Sequence, residues 1–232
     1  MCTIVFDLDG TLIDTAPDLI YTLNLILTRE SLPTVPYAAA RNLIGGGAKI
    51  LIERALAAEG RTSTMPEIDR LYTAFVAYYA DHIADRSLPF PGLERTLDAL
   101  NAAGHRLAVC TNKLEWLSRR LLQALNLTQR FAAICGPDTF GVQKPDPEIF
   151  RQTVRRAGGE PSRAIMIGDS ITDVHTARAA RVPVIAVDFG YTDVPIESLQ
   201  PDWIVSSFSQ LPPAIGELLA TRLRSADPAE TS

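Results

Sequence analysis

The sequence predicts an α/β fold, a doubly wound parallel sheet carrying an inserted all-helical cap domain, and three observations predict it. Short, continuously apolar runs recur along the 232 residues. Stretches with helical spacing alternate with those runs from about residue 92 onward. A long early segment has helical spacing and no strand candidate. Runs that are apolar at every position suit strands buried on both faces, as parallel strands are. Right-handed crossovers and the commonest doubly wound arrangement then predict the strand order 3-2-1-4-5-6.

Taken in order, the first run is Thr3–Phe6, which stops abruptly at Asp7-Leu8-Asp9-Gly10-Thr11. A buried strand ending in a polar turn is the physical reading. Residues 16–85 then interrupt the alternation, with apolar positions at helical spacing over 19–27, 50–57 and 71–83. They are expected to form the cap, inserted between residues 1–15 and 86–232 of a catalytic core, with Pro17, Pro89 and Pro91 punctuating the joints. Later strands are expected at Arg106–Cys110 ending at Thr111, at 132–135, at 164–167 ending at Gly168-Asp169, at Val184–Val187 and at Trp203–Val205. Helical spacing lies between them over 114–125, 147–157 and 173–180. Trp116 and Trp203 are expected to pack inside, Asp138 and Asp146 to serve turns or caps, and the small polar residues 225–232 to fray.

Composition narrows the function. A net charge of −5 offers no basic face for nucleic acid. No apolar stretch approaches the roughly 20 residues of a spanning helix, and no basic and apolar leader opens the chain. Three cysteines, Cys2, Cys110 and Cys135, are too few for a disulfide framework and fit the reducing cytoplasm. His82, His105 and His175 have no metal-ligand spacing. Any small phosphorylated metabolite that the chain binds is therefore expected to be met by a few placed groups rather than by a basic face, on a monomer or homodimer.

Ligands of such sheets bind beyond the carboxyl ends of the strands, where the order reverses. That point lies between the first and fourth strands, so Asp7, Asp9 and Asp169 are expected to converge there. Clustered carboxylates repel one another and call for a hard divalent cation with oxygen ligands, by default Mg2+. The Thr111 hydroxyl, Lys144 and the backbone N–H groups of residues 8–11 are candidate donors to a phosphate. Asp7 at a strand tip suits a nucleophile, and Asp9 in the following turn suits a general acid and base.

In order and spacing, Asp7-Leu8-Asp9-Gly10-Thr11-Leu12, Thr111, Lys144-Pro145 and Gly168-Asp169-Ser170-Ile171-Thr172-Asp173 resemble the four motifs of haloacid dehalogenase phosphatases. The resemblance implies a phosphoric monoester hydrolase with Asp7 as nucleophile and Asp9 as acid and base. It assigns phosphate or substrate binding to Thr111, Asn112 and Lys144. It assigns the metal to Asp7, Asp169 and the Asp9 backbone carbonyl, with Gly10, Thr11, Ser170 and Asp173 in support. Asp173 is expected to orient Lys144 or a metal-bound water.

At the start of the insert and within it, Asp14-Thr15-Ala16-Pro17-Asp18-Leu19, with Asn24 further on, and Ile44-Gly45-Gly46-Gly47-Ala48 leading to Glu53-Arg54-Ala55-Leu56 resemble the cap segments of bacterial phosphoglycolate phosphatases. That resemblance implies 2-phosphoglycolate as substrate. Arg41 or Lys49 of the cap could recognise its carboxylate, and the glycine triplet around Gly46 could let the backbone approach a small substrate or open a helix start to an anion. A sugar phosphate, pyrophosphate or nucleotide phosphatase or mutase is the alternative. A phospho-accepting receiver-like domain is the non-enzyme alternative, against which Asp9 and the insert both count.

Overall fold

The computed structural model describes residues 1–192 and 194–226, with side chains described to residue 221. The chain enters through β1 (Thr3–Phe6) and a two-residue β2 (Ile13–Asp14). Four helices follow: α1 (Ala16–Arg29), α2 (Tyr37–Arg41), α3 (Ala48–Ala58) and α4 (Met65–Asp81). The return passes through β3 (Leu88–Pro89) into α5 (Leu93–Ala102), β4 (Arg106–Cys110), α6 (Glu115–Ala124), β5 (Ala133–Cys135), α7 (Pro137–Phe140) and α8 (Pro147–Arg156). The remainder is β6 (Ala164–Gly168), α9 (Ile171–Ala180), β7 (Val184–Val187), β8 (Trp203–Val205) and α10 (Leu211–Ala226). Of the tail expected to fray, residues 225 and 226 close α10, and 227–232 lie outside the described residues.

Six strands form one parallel sheet in the order β5-β4-β1-β6-β7-β8, which is the predicted 3-2-1-4-5-6 once the six are numbered among themselves. Thr3 is level with Arg106 on one side and Ala164 on the other, so β1 is central and buried throughout. Because strand side chains alternate between faces, each strand feeds two cores. Ile4, Phe6, Leu107, Val109, Ile165 and Ile167 face one core. Val5, Ala108, Cys110, Ala164 and Met166 face the other, against Phe150 of α8 and Val174 of α9.

The first core continues without a break into the helical insert, through Leu19, Leu23, Ile52, Leu56, Phe75 and Tyr79. Two crossings therefore hold the insert. The first is apolar. The second is polar: β2 and β3 pair antiparallel with Ile13 opposite Pro89, and Phe90 N donates to Leu12 O. This ribbon is absent from the sequence reading because two residues are too few to show a period, and Leu88 is 65% exposed beside a proline. Beside it, the buried Asp18 Oδ2 of α1 accepts from Arg86 N, Ser87 N and Ser87 Oγ at 2.7–3.0 Å, tying the exit of the insert to its entry.

Two packing expectations are corrected. Trp116 and Trp203 are 44% and 38% exposed, because Trp116 stands in the first turn of α6 and Trp203 opens the sheet's edge strand. The capping expectations agree with the structure: Asp146 caps α8 by accepting from Glu148 N, and Asp138 accepts from Glu115 N. Among the described residues no helix is long and apolar enough to cross a membrane.

Asp18→Ala leaves two backbone N–H groups and a hydroxyl without their acceptor. It is expected to lower stability by about 2–3 kcal/mol in a denaturant titration, the range for lost hydrogen bonds to a charged group. A change below about 0.5 kcal/mol, the level of an ordinary surface substitution, would contradict the role of this joint.

Candidate active site

The ladder between β1 and β6 extends one residue past the strand, with Asp7 N donating to Ile167 O at 2.9 Å, so Asp7 is fixed at the tip of the central strand. The chain then turns back, with Leu12 N and Ile13 N both reaching Leu8 O. Gly10 sits in this turn at φ +84°, and a Cβ there would fall 2.4 Å from Asp169 Oδ2. Only glycine meets both demands, so the turn can lie directly against the carboxylate at the end of β6.

Asp169 is held from two sides. Thr11 Oγ1 donates to its Oδ1 and Tyr191 N to its Oδ2, each at 2.7 Å. One turn on, Ser170 caps α9 in a reciprocal box with Asp173: Asp173 N reaches Ser170 Oγ, while Asp173 Oδ2 accepts from Ser170 N and Ser170 Oγ. Asp173 Oδ1 is left to accept from Lys144 Nζ at 2.6 Å. Lys144 Nζ also lies 2.8 Å from Asp7 Oδ1 and is almost wholly removed from water. The expected service of Asp173 to Lys144 is thus a direct contact.

Thr111 follows β4 and is buried, its Oγ1 accepting from Lys113 N. Asn112 has a different position from that of a free ligand donor. Its Oδ1 accepts from Lys144 N at 2.9 Å and its Nδ2 donates to Lys144 O at 3.1 Å, so it clamps the loop that presents Lys144.

Burial and crowding shape the electrostatics. Burial raises the Asp7 carboxyl to about 8; Lys144 pulls it down, and Asp173 and Asp169 push it up. Burial likewise raises Asp169 to about 6, with Asp173 adding to the rise and Tyr191 N–H and Thr11 opposing it. Burial disfavours the Lys144 ammonium, but Asp173 and Asp7 outweigh it and hold the lysine above its ordinary range.

Carboxylate oxygens of Asp7, Asp169 and Asp173 lie within 4.8 Å of one another, with Lys144 the ammonium among them. The donor set is all oxygen and the negative charge is in excess, three carboxylates facing one ammonium. These features fit a hard divalent cation. Asp173 already pairs with the Lys144 ammonium and with Ser170, whereas among the described residues Asp169 accepts only from the neutral donors Thr11 and Tyr191 N, so Asp7 and Asp169 are the carboxylates that fit a cation better.

A cavity of about 320 Å³ opens over these groups, lined from the sheet by Asp7, Asp9, Thr111 and Asn112 and from the insert by Gly45–Gly47, Lys49, Phe75 and Tyr79. Gly46 and Lys49 therefore border the cavity, although Lys49 Nζ bonds Asp69 at 2.5 Å. Arg41 does not border it: its guanidinium donates to Phe189 O at 3.0 Å and lies over the Tyr191 ring.

Sequence reasoning missed Lys113 and Tyr79. Lys113 is buried in the cavity wall, with Nζ 2.8 and 2.9 Å from the two Asp9 carboxylate oxygens, and Thr15 Oγ1 also donates to Asp9 Oδ1. Burial works against this ammonium too, and Asp9 and Tyr79 more than restore it. The available signal was its place two residues beyond a strand-end threonine.

The sequence pattern of haloacid dehalogenase-like hydrolases matches residues 4–187. A phosphoglycolate phosphatase of Mesorhizobium japonicum is 48% identical over 216 residues, covering 93% of this chain and 95% of its own. One from Caulobacter vibrioides is 46% identical, covering 94% and 92%. Among solved structures, a predicted phosphoglycolate phosphatase from Haemophilus somnus has a TM-score of 0.85 at 30% identity, over 93% of this chain and 98% of that one.

The shifted carboxyls carry a pH signature. Between the ordinary aspartate value of 3.8 and about 8, the folded metal-free chain holds a proton on Asp7 that the unfolded chain has lost. Stability from this group therefore falls as pH rises through that window. A cation that binds the ionised form offsets the loss. The rise in melting temperature on adding Mg2+ is accordingly expected to be larger at pH 8 than at pH 5, and to shrink in Asp7→Asn; an equal or larger rise at pH 5 would contradict this.

Proposed function

The chain belongs to the haloacid dehalogenase-like hydrolases, and on that premise we propose that it is a magnesium-dependent phosphatase that hydrolyses 2-phosphoglycolate through an aspartyl-phosphate on Asp7. One observation carries the chemistry: Asp7 stands at the tip of the central strand with Lys144 Nζ 2.8 Å away, and Asp9 lies two residues on at the same cavity. The substrate reading draws on the relatives from Mesorhizobium japonicum and Caulobacter vibrioides, which bear that activity in their names.

In the first step an Asp7 oxygen bonds to phosphorus, the bond from phosphorus to the glycolate oxygen breaks, and Asp9 gives that oxygen a proton. In the second, Asp9 takes a proton from water, the water oxygen bonds to phosphorus, and the bond to Asp7 breaks to free inorganic phosphate. Thr111, Lys144 and backbone N–H groups of residues 8–11 hold the phosphoryl oxygens. Asp7, Asp169 and the Asp9 carbonyl would hold Mg2+, which would supply positive charge against the phosphate.

Residues 16–85 act as a cap on a core of residues 1–15 and 86–232, and exclude water when the cavity is filled. Three free cysteines fit a cytoplasmic setting.

Phosphate release from 2-phosphoglycolate, with Mg2+ and with EDTA, tests the reading in wild type and Asp7→Asn. Release is expected only with metal, and the substitution should lower kcat by on the order of 10⁴-fold or more, as nucleophile removal does elsewhere. Faster turnover of a sugar phosphate would move the substrate assignment; unchanged activity in Asp7→Asn would overturn the mechanism.

A further inference from the structure

We propose that Lys113 recognises the carboxylate of the substrate and, by moving onto it, frees Asp9 for proton transfer; the inference rests on the phosphoglycolate reading above. Lys113 follows β4, its side chain is 5% exposed, and it borders the cavity that also holds Asp7 and Thr111. The other two lysines of the site are committed elsewhere. Lys144 is locked between Asp7 and Asp173, and Lys49 is half exposed and paired with Asp69 on the outer side of the cavity. Lys113 has Asp9 as its salt-bridge partner and contacts both of its oxygens.

That contact conflicts with the work assigned to Asp9. A general acid must reach the leaving oxygen with one of its carboxyl oxygens, yet here both are occupied by the Lys113 ammonium, and one also accepts from Thr15. Asp9 can therefore protonate a leaving group only after Lys113 has been drawn off it. A second anionic group just beyond the ester oxygen is what would draw it, and the phosphoglycolate carboxylate lies there. The long flexible stem of lysine permits the shift.

Tyr79 of α4 supplies an independent indication. It is 1% exposed and borders the same cavity, its ring centroid is 4.8 Å from Lys113 Nζ, and its hydroxyl, beside that ammonium, has no acceptor for its own proton among the described residues. A buried hydroxyl left without an acceptor costs free energy unless a ligand provides one. The substrate carboxylate would accept from Tyr79 and Lys113 together, one donor from the cap and one from the core. Such a substrate closes the cap onto itself and releases the acid that cleaves it, whereas a neutral ester leaves Lys113 on Asp9.

The test is kcat and KM for 2-phosphoglycolate and ethyl phosphate, which has the same length without the carboxylate, in wild type, Lys113→Met, Lys113→Gln and Tyr79→Phe. Wild type should prefer phosphoglycolate. Lys113→Met should lower its kcat/KM by about 10- to 100-fold, the range for a lost charged hydrogen bond, with part of the loss in kcat, while turnover of ethyl phosphate rises. Lys113→Gln, which can still donate to Asp9 and so protects the fold, should lose the preference in the same way, and Tyr79→Phe should weaken it several-fold. Equal proportional losses on both substrates in the Lys113 variants would overturn the inference and leave Lys113 a support of Asp9. Absence of the preference in wild type would instead bring down the substrate reading, and this inference with it.

Discussion

The ammonium of Lys144, 2.8 Å from Asp7 and 2.6 Å from Asp173 and almost without contact with water, constrains most of what surrounds it. Breaking a buried pair by removing one partner costs about 3–5 kcal/mol elsewhere, because the other charge is left uncompensated. The chain accordingly fixes every member of the cluster. Asn112 clamps the backbone of Lys144, Ser170 and the start of α9 hold Asp173, the ladder to β6 holds Asp7, and Thr11 with Tyr191 holds Asp169. One lysine does not neutralise three acids, and the remaining negative charge is what would favour a cation here.

Coupling between site and insert runs through the same residues. Tyr191 donates its N–H to Asp169, while its hydroxyl donates to Asp14 Oδ1 and accepts from Ala16 N, where the insert begins. Arg41 of α2 lies over the same ring and bonds Phe189 O. One side chain thus links the start of the insert to a carboxylate of the acidic cluster. The long shared core of Leu19, Leu23, Phe75 and Tyr79 gives the insert a stable seat on the sheet.

Much of this arrangement was legible in the sequence because it depends on short-range pattern. Strands buried on both faces must be apolar at every position, so their runs and order could be read from Thr3–Phe6 to Trp203–Val205. Asp7, Thr111 and Asp169 were legible as the polar residues on which three of those runs end. What was not legible depends on partners distant in the chain. Lys113 reads as an ordinary surface lysine until α4 brings Tyr79 over it and the first turn brings Asp9 beneath it. Asn112 looks like a ligand donor until the loop of Lys144 is seen to occupy both ends of its amide. Arg41, a plausible anion ligand on a helix, is turned away by a backbone carbonyl of the loop that follows β7.

The central claim is that phosphate passes through a covalent bond to Asp7. The most direct measurement is to quench wild-type enzyme during turnover of 2-phosphoglycolate with Mg2+, treat it with borohydride, and locate the reduced residue by peptide mass analysis. Borohydride reduces an acyl phosphate and spares a free carboxylate, so the account predicts an alcohol in place of the carboxyl at Asp7 and at no other acid. Reduction at Asp9 or Asp169, or none at Asp7 while phosphate is being released, would contradict it.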